Sequence, residues 1–465
     1  MKLPLLTVIV AISQISEQCH GFLLNEKCLV PPPCSCPSRG INTITIICEY
    51  NEFNSTPTFE HVGIHAETLD IQLQFNKIET VTDNAFRNLS SVSASTINIR
   101  LDHNAIFTLS DNAFAGIENS IKLLELENNN LTSLPSVIGK LKTLEYLDIR
   151  SNPLRSLSYS VMSNIGHTLN LIFLDLKLFS IWPNEIGLLH CLQSLWIQSV
   201  PFTNLKTNVF HNFENSLTAL IIEEAQLLET IPLAVCQLSV IQTLRLKNFH
   251  GIKQNESSIF QHCTEKRRSL TSLQLVNNNL DSFPDALHVF PSLAYLYLRS
   301  NNLESIEVEQ IPTKTLLKEL DLIRNRFQRI PAAMNELTNL ETLYLKNNNI
   351  SALEDADFTG LVKLESLYLA HNPITYVSKH AFKNNAELST LDLSYTQLKS
   401  IPFAITILPK LVDLDVRYGE QISCTCNMAY LKGWNASRVR YFEGKCANST
   451  QNIQDFIMTS LTHCP

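Results

Sequence analysis

Residues 340–350 read Leu-Glu-Thr-Leu-Tyr-Leu-Lys-Asn-Asn-Asn-Ile, and Leu340, Leu343, Leu345, Asn348 and Ile350 carry the pattern. The same spacing returns at Leu364, Leu367, Leu369, Asn372 and Ile374, and earlier at Leu144, Leu147, Ile149, Asn152 and Leu154. With the asparagine position as phase marker, copies fall at 76, 104, 129, 152, 179, 200, 225, 249, 278, 301, 325, 348, 372 and 396. Neighbouring markers stand 21 to 29 residues apart, and a truncated further copy runs through Leu411, Leu414 and Val416. Within each copy x-Leu-x-Leu-x alternates, so it reads as a short strand with leucines inward and the x residues outward. The asparagine sits where the strand turns away, and its amide can both donate to and accept from backbone groups that the turn leaves unpaired.

About fifteen copies of one unit make a leucine-rich repeat array. The fold class expected is an α/β solenoid, a curved horseshoe with a parallel β-sheet on its concave face and closed ends. Each unit lends one strand, and the sheet curves because the returning segments are bulkier than the strands. Those segments come in two kinds. One is built on phenylalanine (Phe86, Phe114, Phe210, Phe358, Phe382), the other on proline (Leu134-Pro135, Ile231-Pro232, Phe283-Pro284, Ile330-Pro331, Ile401-Pro402). Both fit short helical or irregular stretches on the outer curve, with their apolar residues in the core. Repeats stabilise one another by stacking, so the two ends need caps.

The chain has 465 residues with 12 Gly and 19 Pro, which excludes collagen-like and low-complexity classes. A formal net charge of -8 argues against a general polyanion binder, so nucleic acid is not an expected partner. Lys2, the apolar run Leu3–Ile12 and the small residue Gly21 read as a secretory signal peptide over 1–21. That run is half the length a membrane anchor needs. No later segment is long and apolar enough to span a bilayer, and the chain ends at Cys464-Pro465 without a hydrophobic tail. A secreted, extracellular product without a transmembrane anchor is therefore expected. Twelve cysteines fit that compartment. Cys19 lies in the signal, Cys28, Cys34, Cys36 and Cys48 form one cluster, and Cys424, Cys426, Cys446 and Cys464 form another. Neither has paired C-x-x-C spacing, which disfavours zinc. Cys191, Cys236 and Cys263 remain, an odd number. Cys236 and Cys263 are 27 residues apart, about one repeat, so a disulfide across adjacent units is predicted, with two buried thiols as the alternative.

The array resembles those of secreted and cell-surface leucine-rich-repeat proteins such as Slit, the small leucine-rich proteoglycans and Toll-type ectodomains. The C-x5-C-x-C-x11-C cluster from Cys28 looks like that family's N-terminal cysteine cap, here residues 22–66. Cys424-x-Cys426 with Cys446, Cys464 and Trp434 looks like its C-terminal cap, here residues 418–465, leaving the repeats in 67–417. The resemblance implies pairing of Cys28 with Cys36, Cys34 with Cys48, Cys424 with Cys446 and Cys426 with Cys464; four cysteines allow three connectivities. The Asn-Pro usual before the second cap is absent, Tyr418-Gly419-Glu420-Gln421 standing there. Pro31-Pro32-Pro33-Cys34-Ser35-Cys36 together with the proline repeats is also similar to the non-catalytic subunit type of a decapod luciferase.

No metalloprotease, nucleophile-elbow, P-loop or dinucleotide motif occurs, and the histidines are scattered, so no catalytic residue, cofactor or metal is expected. Interest falls on the outward residue between the two inner leucines. Repeat by repeat it reads Gln72, Arg100, Glu125, Asp148, Asp175, Trp196, Ile221, Arg245, Gln274, Tyr297, Asp321, Tyr344, Tyr368, Asp392 and Asp415. The first third is acidic and the middle turns aromatic. Exposed aromatics beside arginine are the composition of interface hot spots. The partner-binding residues expected are Trp196, Ile221, Arg245, Tyr295, Tyr297, Arg299, Tyr344 and Tyr368, against the alternative of cross-strand surface pairing. In four successive units the ladder asparagine is replaced by Phe179, Val200, Ala225 and Phe249.

Seven sequons, at Asn54, Asn88, Asn130, Asn255, Asn349, Asn435 and Asn448, are expected to carry glycans, and none lies at an outward strand position. Glu265-Lys266-Arg267-Arg268 fits a solvated loop or a processing site. The function expected is non-enzymatic binding of an extracellular protein through the concave face, with a second copy of the chain a further partner. The alternatives are a matrix component, a stabilising subunit of a secreted enzyme, or a receptor ectodomain.

Overall fold

The computed structural model describes residues 28–37, 42–61, 63–228, 231–249, 260, 263, 269–418, 422–447 and 449–464. The signal peptide, Asn255, Asn448, the run 265–268 and Gly419–Gln421 lie outside the described residues. One parallel sheet of 17 strands runs the length of the chain, each strand pairing with the next in sequence. Its first strands are β1 (Thr43–Ile47), β2 (Ile64–Gln72), β3 (Val92–Arg100), β4 (Ile121–Glu125), β5 (Tyr146–Asp148) and β6 (Leu171–Asp175). The middle holds β7 (Ser194–Gln198), β8 (Ala219–Glu223), β9 (Thr243–Lys247), β10 (Ser272–Val276), β11 (Tyr295–Tyr297) and β12 (Glu319–Asp321). It ends with β13 (Thr342–Tyr344), β14 (Ser366–Tyr368), β15 (Thr390–Asp392), β16 (Asp413–Asp415) and β17 (Tyr441–Glu443). Strands β2–β16 come from the repeats; β1 and β17 extend the sheet from the cysteine-rich ends, so neither terminal repeat leaves its edge bare.

The alternation holds residue by residue. Leu343, Leu345, Leu367 and Leu369 are fully buried while Tyr344 and Tyr368 between them remain half-exposed. Nine asparagines form the ladder. Asn348 is typical: its Nδ2 donates to the carbonyls of Leu322 and Leu345 at 3.0 Å, and its Oδ1 accepts from the Phe327 N–H at 3.1 Å. One side chain thus ties two repeats together. Behind the sheet, phenylalanines stack from unit to unit, Phe86 on Phe114 at 5.6 Å and Phe358 on Phe382 at 5.8 Å. The proline units carry single 3₁₀ turns such as Ser136–Lys140, Ala332–Glu336 and Phe403–Ile407, each preceded by a proline in extended conformation that needs no N–H partner. Pro183 does the same before Asn184–Leu188, a fourth instance that its preceding Trp182 conceals in the sequence.

One expectation fails at β6. The residue between its inner pair is Phe173, not Asp175: Ile172 aligns with Leu147 and Leu195, and Phe173 aligns with Asp148 and Trp196. Both Ile172-x-Leu174 and Leu174-x-Leu176 satisfy the pattern, and stacking on the neighbouring strands selects the first. The ladder position of this unit is consequently Lys177, which is exposed, and Phe179 is core. The interruption of the ladder therefore runs Lys177, Val200, Ala225, Phe249.

Disulfides join Cys28–Cys36 and Cys34–Cys48 at one end, and Cys424–Cys446 and Cys426–Cys464 at the other. A fifth joins Cys236 to Cys263 with Cα atoms 5.2 Å apart. Cys191 is a free, exposed thiol. Trp434 packs on the core beside Phe442 at 6.2 Å, closing the last repeat. Among the described residues no helix is long and apolar enough to cross a membrane.

Candidate functional site

The concave surface has three outward positions per strand: one before the first inner residue, one between the two, one after the second. In the register of the sheet the middle column is Gln72, Arg100, Glu125, Asp148, Phe173, Trp196, Ile221, Arg245, Gln274, Tyr297, Asp321, Tyr344, Tyr368, Asp392, Asp415 and Glu443. Adjacent members stand one strand spacing apart, about 4.8 Å, so long side chains must touch.

In the middle of the sheet they form two groups on either side of Gln274. The first lies on β5–β9. Tyr146, Phe173 and Trp196 make a continuous aromatic row with centroids 5.3 and 5.0 Å apart. The Arg150 guanidinium lies over Phe173 and Trp196 at 4.6 and 5.0 Å, held there by Asp148 at 2.6 Å and Glu127 at 3.1 Å. Arg245 pairs with Glu223 at 2.9 Å. Ile221, expected as a contact residue, is 3% exposed and belongs to the core. A branched aliphatic between the larger Trp196 and Arg245 is covered by its neighbours in register.

The second group lies on β11–β14 and brings together Tyr295, Tyr297, Arg299, Tyr344 and Tyr368. Arg299 grips the buried Asp321 at 2.7 Å, and the Tyr297 hydroxyl bonds Glu319. Tyr344 and Tyr368 stack at 4.7 Å with planes 10° apart, and Lys346 covers Tyr368 at 5.0 Å while pairing with Asp392 at 2.5 Å. Burial, then the nearby Glu319, pushes the Tyr344 phenol up to about 12, so it stays a neutral donor across the physiological range.

Sequence reasoning missed Tyr146, Arg150 and Phe173, because the β6 phase hid the row they form. It also missed a further column. Two residues beyond the second inner position, nearly every unit places a residue in the left-handed region, including Tyr50, Phe75, His103, His371, Tyr395 and Tyr418. At the N-terminal end Tyr50, Phe75 and His103 stack at 4.6 and 4.4 Å; at the C-terminal end His371, Tyr395 and Tyr418 stack at 4.0 and 4.4 Å. The signal was present as a periodic position but not as a leucine.

The N-terminal part of the face is a carboxylate cluster. Arg100 is shared by Asp70 at 3.7 Å and Glu125 at 3.3 Å. Burial raises Glu125 from the ordinary 4.5 to about 7; Arg100 opposes this, and Asp102, Asp148 and Asp70 add to it. The proton is held more tightly in the folded state. The stabilisation this gives is complete below pH 4.5 and lost as pH rises through 7. Glu125→Gln is therefore expected to match the wild type near pH 4 and to exceed its stability by on the order of 2–3 kcal/mol at pH 8. Urea midpoints across that pH range measure it; a gap that does not open with pH contradicts the assignment.

The family model for the leucine rich repeat matches residues 95–154, 315–374 and 363–419. The chain is a leucine-rich-repeat solenoid. In sequence, the solenoid is 39% identical over 79 residues to the human volume-regulated anion channel subunit LRRC8E, covering 17% of this chain and 9% of that protein. In structure, the solenoid is similar to a chain of the Toll–Spatzle complex of Drosophila, with a TM-score of 0.60, 16% identity, and coverage of 83% of this chain and 58% of that one. The solenoid is also similar to the Leptospira interrogans LRR protein LIC12759, with a TM-score of 0.54, 23% identity, and coverage of 79% and 94%. The chain thus spans a small part of the channel subunit and under two thirds of the Toll-complex chain. At these identities the structural likenesses establish the fold.

Proposed function

We propose that this solenoid is a secreted, non-enzymatic binding protein that holds an extracellular protein partner against its concave face. The observation that carries it is the contiguous surface on β11–β14. Four half-exposed tyrosines, Tyr295, Tyr297, Tyr344 and Tyr368, share this face with Arg299, and Tyr297, Tyr344, Tyr368 and Arg299 are each held by a neighbour. Rigid aromatics beside arginine supply contact area at small entropic cost. Trp196 and Arg245 extend the same face. The five described sequon asparagines, Asn54, Asn88, Asn130, Asn349 and Asn435, are all exposed and all lie off the three outward columns. Glycans there leave the face open. Secretion is supported by the paired cysteines, which persist in oxidising compartments. The division into a leader (1–21), caps (22–66 and 418–465) and repeats (67–417) belongs to the same proposal.

The test is affinity capture from native secreted fluid with wild-type protein and a Tyr297→Ala/Tyr344→Ala variant. Two central hot-spot residues at about 2 kcal/mol each correspond to a loss of roughly three orders of magnitude. A partner retained by wild type and lost by the folded variant is the expected result. Equal capture by both moves the interface off this face.

A further inference from the structure

The charges of the concave face are not evenly spread. Over the three outward columns, β2–β5 present Asp70, Asp102, Glu125, Glu127 and Asp148 against Arg100 and Arg150. From β6 to β14, Asp175, Glu223, Glu319 and Asp321 are balanced by Arg245, Lys247, Arg299 and Lys346. From β15 to β17, Asp392, Asp413, Asp415 and Glu443 face Arg417 and Lys445. The N-terminal end of the face carries an excess of three negative charges, the C-terminal end an excess of two and the middle none. With Lys346 counted against Asp392, the C-terminal pole still keeps an excess of one.

Each pole is bordered by one of the stacked aromatic rows. The outermost rings, Tyr50 and Tyr418, are 67% and 61% exposed, and each has one stacked neighbour. A ring face beside carboxylates is a seat for a cation, and Arg150 over Phe173 shows that arrangement already in use within the chain.

We infer that the concave face takes a partner bearing two separate clusters of arginine and lysine, one for each acidic pole, with the neutral aromatic middle between them. This rests on the proposed binding function and names the chemistry of its partner. A protein serves this geometry better than a small polycation, because the poles are far apart. Twelve strand intervals separate β4 from β16, roughly 58 Å along the sheet at the usual spacing.

The probes are three fluorescent peptides. One has a single block of four arginines. A second has two such blocks joined by thirty Gly/Ser residues, enough to reach about 100 Å when extended. A third has eight arginines spread evenly over the same length. Their affinities are measured at low salt on the wild type, on a first-pole variant (Asp102→Asn/Glu127→Gln) and on a second-pole variant (Asp413→Asn/Glu443→Gln), each shown to be folded by its melting curve. Simultaneous engagement of two sites is expected to make the two-block peptide bind wild type at least about ten-fold tighter than either other peptide. Either pole variant should remove that advantage. Equal affinities for the block and spread peptides, or an advantage that survives both variants, overturns the inference. So does a captured partner that is lost by Tyr297→Ala/Tyr344→Ala yet is indifferent to both pole variants; the binding function then stands without the charge chemistry. A pole-dependent two-block advantage with no partner in the capture experiment sustains the inference and counts against the function.

Discussion

Replacing Gly360 by alanine is expected to destabilise the solenoid by about 3 kcal/mol or more and to depress its secreted yield sharply. A Cβ at this position would lie 2.0 Å from the Asn335 carbonyl oxygen and 2.7 Å from its Cα, which are backbone atoms with nowhere to go. The Gly360 N–H also donates to the Asn335 Oδ1 at 2.7 Å, so the segment cannot swing away without losing that bond. The glycine is there for close approach between the outer segments of adjacent repeats. Accommodating a methyl means separating the two outer segments at this contact. Gly63, with nothing within 4 Å of its would-be Cβ, is the control, and Gly63→Ala should be nearly neutral. The measurement is the denaturation midpoint of both variants. A Gly360→Ala protein as stable as Gly63→Ala would show that the outer curve yields more easily than this geometry allows.

Asn348→Ala is expected to cost about 2–4 kcal/mol, since buried backbone groups left without partners carry their full desolvation cost. The Phe327 N–H and the Leu322 and Leu345 carbonyls all lose the amide that satisfies them. Asn348→Asp should be no better. A carboxylate can accept from Phe327 but has no N–H for the two carbonyls, and it brings a buried charge. The chain offers an internal comparison at Thr396, whose hydroxyl donates only to the Leu393 carbonyl at 2.8 Å, near the C-terminal end of the array. Denaturation midpoints of the two Asn348 variants decide the matter. Wild-type stability in either would remove the ladder from the account of what joins the repeats.

The architecture was legible because its signal is a period. Leu340-x-x-Leu343-x-Leu345 repeats often enough that strand, inward face and turn follow from alternation alone. Where two phases compete, as in Ile172-Phe173-Leu174-Asp175-Leu176, local sequence cannot choose, and the neighbouring strands do. The middle aromatic column was legible on the same grounds, with the exception of Phe173. What alternation does not reveal is depth. Ile221 occupies an outward slot and is buried all the same, since the size of the residues on either side sets how much water reaches it. The stacked rows at Tyr50–His103 and His371–Tyr418 were hidden for another reason. Their position is defined by a backbone conformation, which leaves no mark on residue type when asparagine, serine, histidine and tyrosine all occupy it.

The stretch from Lys177 to Phe249 has a mechanical meaning. Coupling along a solenoid passes between nearest neighbours, and four consecutive joints here lack the amide that rivets all the others but the one at Thr396. The backbone ladder makes up for it: β6–β10 pair with one another over five residues each, where the strands from β10 to β16 pair over three. Within this stretch, Cys236 lies in the unit of Ala225 and Cys263 in the unit of Phe249. A covalent stitch thus joins the outer curves of two neighbouring units whose joint has no amide rivet, and ties on the convex side what the five-residue ladder ties on the concave one.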